Sequence, residues 1–209
     1  MHDLVIFDMD GTLLNTLTDL HISTNFALRE SGFPERSFDE VRNFVGNGVE
    51  MLIRRALPEN CDDVTIIKCM EIFKKHYAEN MYNNTMPYEG IIEVLNLLKG
   101  TKKAVLSNKF DIAVKELAEK YFDGLMDFSL GQSDDVPPKP NPTGILKCIN
   151  ELNSKNPILV GDSDVDIQTA KNANIPVIAV TWGFRDRNSL TDADYVIDKP
   201  EELLEIIKC

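Results

Sequence analysis

Short, nearly unbroken apolar runs constrain this chain more than any other feature. Residues 4–7 (Leu-Val-Ile-Phe), 103–106, 157–160, 176–180 and 194–197 are too short for helices and too continuous for half-solvated strands. Strands buried on both faces read this way, and they belong to parallel sheets covered by helices. Helical spacing lies between the runs. Ile91, Val94, Leu95 and Leu98 recur at i, i+3, i+4 and i+7, as do Val114, Leu117, Ala118 and Tyr121. Strand-helix alternation from residue 86 onward predicts an α/β fold, a Rossmann-like doubly wound parallel sheet with right-handed crossovers.

Residues 15–85 interrupt that alternation. Val49, Leu52, Ile53 and Ala56 form one helical stripe, and Ile66, Met70, Phe73 and Tyr77 another. Gly32-Phe33-Pro34 and Leu57-Pro58 act as breakers, and no convincing strand is visible. The expected organisation is an α/β core from residues 1–14 and 86–209, with an inserted alpha-helical cap over 15–85. The sheet is expected to resume near Met86-Pro87.

A chain of 209 residues buries a substantial core without help from disulfides or structural metal. Its formal net charge of −12 argues against nucleic acid and anionic membrane as partners, since both need clustered Lys and Arg. Cys61, Cys69, Cys148 and Cys209 fit no zinc spacing and read as reduced packing residues. Residues 4–7 are too short for a signal peptide, and no run approaches the ~18 apolar residues of a membrane span. A cytoplasmic protein is expected. An acidic protein that handles an anion must gather its few cations in one place or recruit a metal.

Four segments can carry chemistry. Phe7-Asp8-Met9-Asp10-Gly11-Thr12 sets two carboxylates at the end of a buried strand, where open α/β sheets bind ligands, and Gly11 permits a sharp turn. Close like charges need a cation or a shared proton. The alternative is a solvated acidic turn. Val160-Gly161-Asp162-Ser163-Asp164-Val165-Asp166 gathers three acids and suggests a hard cation. Helix capping is the alternative, favoured for Asp164, with a metal role for Asp162. Leu106-Ser107-Asn108-Lys109 ends a strand with short donors able to hold a phosphoryl oxygen, although Ser107 fits an ordinary turn with Asp111 capping the next helix. Pro137-Pro138-Lys139-Pro140 presents one ammonium rigidly before a helix expected over 145–152.

Taken together, the order, spacing and strand-end setting of these segments closely resemble the four motifs of the haloacid dehalogenase superfamily of phosphohydrolases, along the entire chain. The resemblance implies a role for each position. Asp8 is the nucleophile that forms an aspartyl-phosphate. Asp10 protonates the leaving oxygen and then deprotonates water. Mg²⁺ sits on the Asp8 carboxylate, the Asp10 backbone carbonyl and Asp162, with Asp166 in support. Ser107, Asn108 and Lys139 bind the transferring phosphoryl group, and Lys139 also offsets the charge of Asp8.

A helical insertion after the first motif marks the alpha-capped members. Gly46-Asn47-Gly48, opening a helix through Leu57, is similar to the cap segment of phosphoglycolate phosphatases, where loop amides can approach an anionic substrate. A plain helix-breaking turn is the alternative. Val180-Thr181-Trp182-Gly183-Phe184 looks like the carboxyl end of the same subfamily, with Trp182 as a packing or rim residue. One departure is Asn15, where relatives usually carry Asp. The expected partner is a small phosphorylated metabolite, phosphoglycolate first, with pyrophosphate and nucleoside monophosphates next. The chain is expected as a monomer or homodimer. A phosphosugar mutase, with His21 as its cap group, and a noncatalytic binding protein are the weaker alternatives. His2 and His76 read as surface residues, and Asp134-Asp135 as a solvated loop that follows no apolar run.

Overall fold

The computed structural model describes residues 1–208, so Cys209 lies outside the described residues. Six strands form one wholly parallel sheet: β1 (Leu4–Phe7), β4 (Lys102–Phe110), β5 (Phe128–Gln132), β6 (Pro157–Gly161), β7 (Val177–Val180) and β8 (Tyr195–Ile197). Their spatial order is β5-β4-β1-β6-β7-β8. The chain runs outward on one side of β1 and then on the other, which puts a topological switch point at β1.

β1 explains why its run is continuous. All four residues are fully buried, with Val5 and Phe7 in one apolar cluster and Leu4 and Ile6 in another. The two-residue period divides them between the faces. Helices α7 (Thr143–Glu151) and α8 (Asp164–Ala173) cover the Leu4/Ile6 face. Helices α5 (Ile91–Leu97), α6 (Asp111–Phe122) and α9 (Leu203–Lys208) cover the other.

Four helices stand between β1 and the rest of the sheet: α1 (Leu17–Glu30), α2 (Phe38–Phe44), α3 (Gly48–Ala56) and α4 (Asp63–Asn80). Their starts follow from local chemistry. Ser37 and Glu40 form a capping box at α2, and Asp62 accepts the Thr65 N–H at α4. Leu52, Ile53, Phe73 and Tyr77 join the same apolar cluster as Val5 and Phe7. The chain leaves and rejoins the core through an antiparallel ribbon, β2 (Leu14–Asn15) with β3 (Met86–Pro87), in which Leu14 faces Pro87 and Asn15 faces Met86.

Three expectations are corrected. Met86-Pro87 belongs to this ribbon, and the main sheet resumes at Lys102. β4 continues beyond residue 106 to Phe110, with a register shift between Leu106 and Phe110. Asp134 and Asp135 are exposed as expected, but they do follow a strand, β5, whose residues are mostly half-buried at the sheet edge. Cys61, Cys69 and Cys148 are free thiols. Among the described residues, no helix is long and apolar enough to cross a membrane.

Candidate active site

The carboxyl ends of β1, β4 and β6 converge on one patch. Asp8 follows β1 directly, and its N–H donates to Val160 O of β6 at 2.8 Å. The chain then turns at Gly11, whose φ is +83°, and a Cβ there would overlap the Asp162 carboxylate. Only glycine allows this backbone to pass so close to the end of β6.

Lys139 organises the patch. Its Nζ lies 2.8 Å from Asp8 Oδ1 and 2.6 Å from Asp166 Oδ1, and its side chain is only 3% exposed. The second Asp166 oxygen accepts the Ser163 hydroxyl at 2.6 Å, while Asp162 Oδ2 accepts the Phe184 N–H at 2.7 Å. One carboxylate oxygen each from Asp8, Asp162 and Asp166 lies within 4.8 Å of the others. Burial pushes the Asp8 carboxyl up to about 7, against the pull of Lys139 and with the push of Asp166 and Asp10. Burial, followed by Asp166 and Asp8, also raises Asp162 well above its ordinary value. For Lys139, burial opposes the charge, but Asp166 and Asp8 overcome it and hold the ammonium raised.

Three buried acids therefore share one ammonium, and that ammonium is hydrogen-bonded to only two of them. A site with oxygen donors and surplus negative charge suits a hard divalent cation. The donor set fits Mg²⁺.

Ser107 and Asn108 stand on the extension of β4. Ser107 is buried at the cleft wall, and its Oγ accepts the Lys109 N–H at 3.3 Å. The Asn108 amide is a strut. Nδ2 donates to Gly46 O at 3.0 Å and Lys139 O at 3.1 Å, and Oδ1 accepts the Lys139 N–H at 2.6 Å. Gly46 and Gly48, at φ +120° and +84°, line the cleft at the start of α3. The Asn47 side chain is committed elsewhere, with Oδ1 accepting from Arg55 at 2.8 Å. The site thus joins Asp8, Asp10, Ser107, Asn108, Lys139, Asp162, Asp166, Gly46 and Gly48, leaving the Asn47 side chain at its margin.

Several residues here were not singled out from sequence. Asp10 Oδ1 accepts the Thr16 hydroxyl at 2.6 Å, and Asp10 Oδ2 lies 3.1 Å from Lys109 Nζ. Lys109 also donates to the Tyr77 hydroxyl of α4 at 3.0 Å. Burial lifts Tyr77 to about 12, while Lys109 is raised by Asp10 and Tyr77 despite its own burial. A lysine that continues a buried strand needs an acid partner, and that is the signal that points to it. Arg185 lines the cleft and donates to Arg42 O at 3.1 Å and Val45 O at 2.5 Å. Arg42 returns a bond to Phe184 O at 2.9 Å, so two arginines clasp α2 to the loop after β7.

Other expectations shift. The N-cap of α8 is Ser163, paired reciprocally with Asp166, and Asp164 is an exposed first-turn residue. Asp111 does not cap α6. Its Oδ1 accepts the Gly131 N–H at 2.9 Å, tying α6 to β5. His2 and His76 are half-buried at the surface, and the His76 ring stacks on Phe26 at 4.0 Å. His21 packs against Asn25 and Arg36 O, outside the cleft lining. Trp182 donates to Thr12 O at 3.1 Å, as a rim residue does.

A family model for haloacid dehalogenase-like hydrolases matches residues 5–180. The phosphoglycolate phosphatase of Aquifex aeolicus (strain VF5) is 32% identical over 97% of this chain and 95% of that protein. That of Vibrio parahaemolyticus serotype O3:K6 is 32% identical over 98% and 95%. The crystal structure of a protein from Lactobacillus delbrueckii subsp. bulgaricus superimposes with a TM-score of 0.93 at 33% identity, covering 99% of both chains. Matching fold, site and sequence along nearly its whole length, this chain belongs to the haloacid dehalogenase-like hydrolase family and is an enzyme of its phosphatase-like branch.

Proposed function

We propose that the protein is a Mg²⁺-dependent phosphomonoester hydrolase that works through an aspartyl-phosphate on Asp8, with phosphoglycolate or a similar small phosphate ester as substrate. The observation that carries this reading is the Lys139 bridge between Asp8 and Asp166 beside Asp162, with Asp10 held separately two residues from Asp8.

An oxygen of Asp8 attacks phosphorus in line, and the bond from phosphorus to the ester oxygen breaks. Asp10 gives its proton to that oxygen, so an alcohol leaves. Asp10 then takes a proton from water as the water oxygen attacks phosphorus, which frees phosphate and restores Asp8. Lys139, Ser107 and Asn108 orient the phosphoryl oxygens, with Asn108 acting through the position of Lys139. The carboxylates of Asp8, Asp162 and Asp166 with the Asp10 carbonyl would hold Mg²⁺, which supplies the positive charge that lets an anion approach an acidic patch.

Residues 15–85 act as the cap that selects the ester. Gly46 and Gly48 line the cleft, and the backbone amides of the Gly46-Asn47-Gly48 loop would be the groups that approach an anionic substrate. The names of the Aquifex and Vibrio relatives support phosphoglycolate. His21, the cap group a mutase would use, lies outside the cleft lining, which favours the phosphatase reading.

Phosphate release from phosphoglycolate, pyrophosphate, nucleoside monophosphates and hexose phosphates, with Mg²⁺ and with chelator, tests the reading. Release is expected with Mg²⁺ and is expected to vanish in Asp8→Asn. Activity that survives Asp8→Asn removes Asp8 as nucleophile, and conversion of a hexose 1-phosphate to its 6-phosphate establishes a mutase.

A further inference from the structure

We infer that Lys109 is a positioning residue for Asp10, seated by Tyr77 of α4, so that the helical region holds the proton-transfer group in place. The inference rests on the hydrolase reading above and concerns a cation that reading does not use.

Lys109 is only 5% exposed. A buried ammonium is costly unless it is paired, so its partners show where it is committed. The two buried lysines divide the acids between them. Lys139 takes Asp8 and Asp166, whereas Lys109 takes Asp10 alone. Both Asp10 oxygens are then held, one by Lys109 and the other by the Thr16 hydroxyl. Thr16 is the N-cap residue of α1, yet its hydroxyl makes no capping bond and goes to Asp10 instead. A carboxyl group gripped at both oxygens has a fixed plane, which a proton donor to a single leaving oxygen requires.

Tyr77 connects this arrangement to the helices. Its hydroxyl accepts from Lys109 Nζ at 3.0 Å, and the ammonium lies 4.5 Å from the ring centroid. Phe73 stacks nearly parallel on the same ring at 5.5 Å, and Phe110 meets it edge-on at 6.4 Å. Lys109 therefore sits between a core strand and a cap helix, and its seat depends on where α4 rests.

The test compares kcat/KM on two esters, since kcat/KM reports transfer to Asp8 and not the later hydrolysis. One ester is the alkyl phosphate that the wild-type protein turns over fastest, whose leaving oxygen needs a proton. The other is p-nitrophenyl phosphate, whose leaving group departs without one. Lys109→Met is expected to lower kcat/KM about 100-fold on the alkyl phosphate and less than about 5-fold on p-nitrophenyl phosphate. Tyr77→Phe is expected to show the same split at about 10-fold, and Asp10→Asn to show it at full size. Equal losses on both esters, or no loss on either, overturn the inference, because a merely structural role does not sense the leaving group. If thermal melting shows Lys109→Met unfolded, the Tyr77→Phe ratio decides. A wild-type protein that releases phosphate from neither ester sinks the hydrolase reading itself, whereas equal losses in an active protein sink only this one.

Discussion

An aspartate stands at each end of β1, and the two ends are built in opposite ways. At the amino end, Asp3 accepts the Ser154 hydroxyl and the N–H groups of Lys155 and Asn156. Burial alone would raise its carboxyl, but these donors outweigh it and bring it down to about 2. At the carboxyl end, Asp8 has one ammonium, two acidic neighbours and a carboxyl pushed up to about 7. The same residue type on the same strand is saturated with donors at one end and left short of positive charge at the other. The amino end therefore serves the fold, and the carboxyl end keeps a surplus of negative charge, as the proposed cation and phosphoryl site requires.

Substitutions should separate the two ends. The largest effect is expected from Asp8→Asn, which should lower phosphate release by about 10⁴-fold or more. Its unfolding temperature in metal-free buffer should not fall, because the change removes a crowded charge. A clear loss of stability would erase the contrast. Next, Mg²⁺ should stabilise the wild-type protein by about 2.7 kcal/mol at a hundred times its Kd, with most of that gain lost in Asp162→Asn. Denaturant titration with and without the ion measures this directly. Arg185→Met should raise KM by about 10-fold and lower stability by about 2 kcal/mol, since two charged hydrogen bonds that clasp α2 to the loop after β7 disappear. The smallest effect is expected at Asp3. Its folded carboxyl titrates near 2 and its unfolded one near 3.8, so its stabilisation is present above the unfolded value and fades as pH falls through 2. After discounting for solvent at this partly exposed site, Asp3→Asn should cost about 1 kcal/mol at pH 7, little at pH 2, and nothing in turnover.

The end of β1 proposed for the chemistry was also the more legible one. Asp8 follows an apolar run directly and Asp162 follows one after a single glycine, so the strand and the acid announce one another. Ser107, Asn108 and Lys109 were harder to place, because polar residues end the run at 106 although β4 continues to Phe110. Lys109 finds its partners in Asp10 and Tyr77, and Arg185 in Arg42 and Val45, across long stretches of chain that no local pattern connects. β5 was missed because an edge strand with Ser129, Gly131 and Gln132 buries too little apolar surface to form a run. The capping assignments at Asp111 and Asp164 failed for another reason. An acid near a helix start can bond outward, as Asp111 does to Gly131, or yield the cap to a neighbouring serine, as Asp164 does.

The ribbon of β2 and β3 has a consequence for how the chain folds. Leu4 pairs with Lys102 across about 100 residues, the closure that joins β1 to β4. Helices α1 to α4 that dock early bring Asn15 beside Met86 and shorten the loop still to be closed to about 30 residues. The entropy of closure then falls by about 1 kcal/mol, enough to quicken assembly of the sheet several-fold. In that order of assembly, the insertion that separates β1 from its partner in the sequence also brings the two together in time.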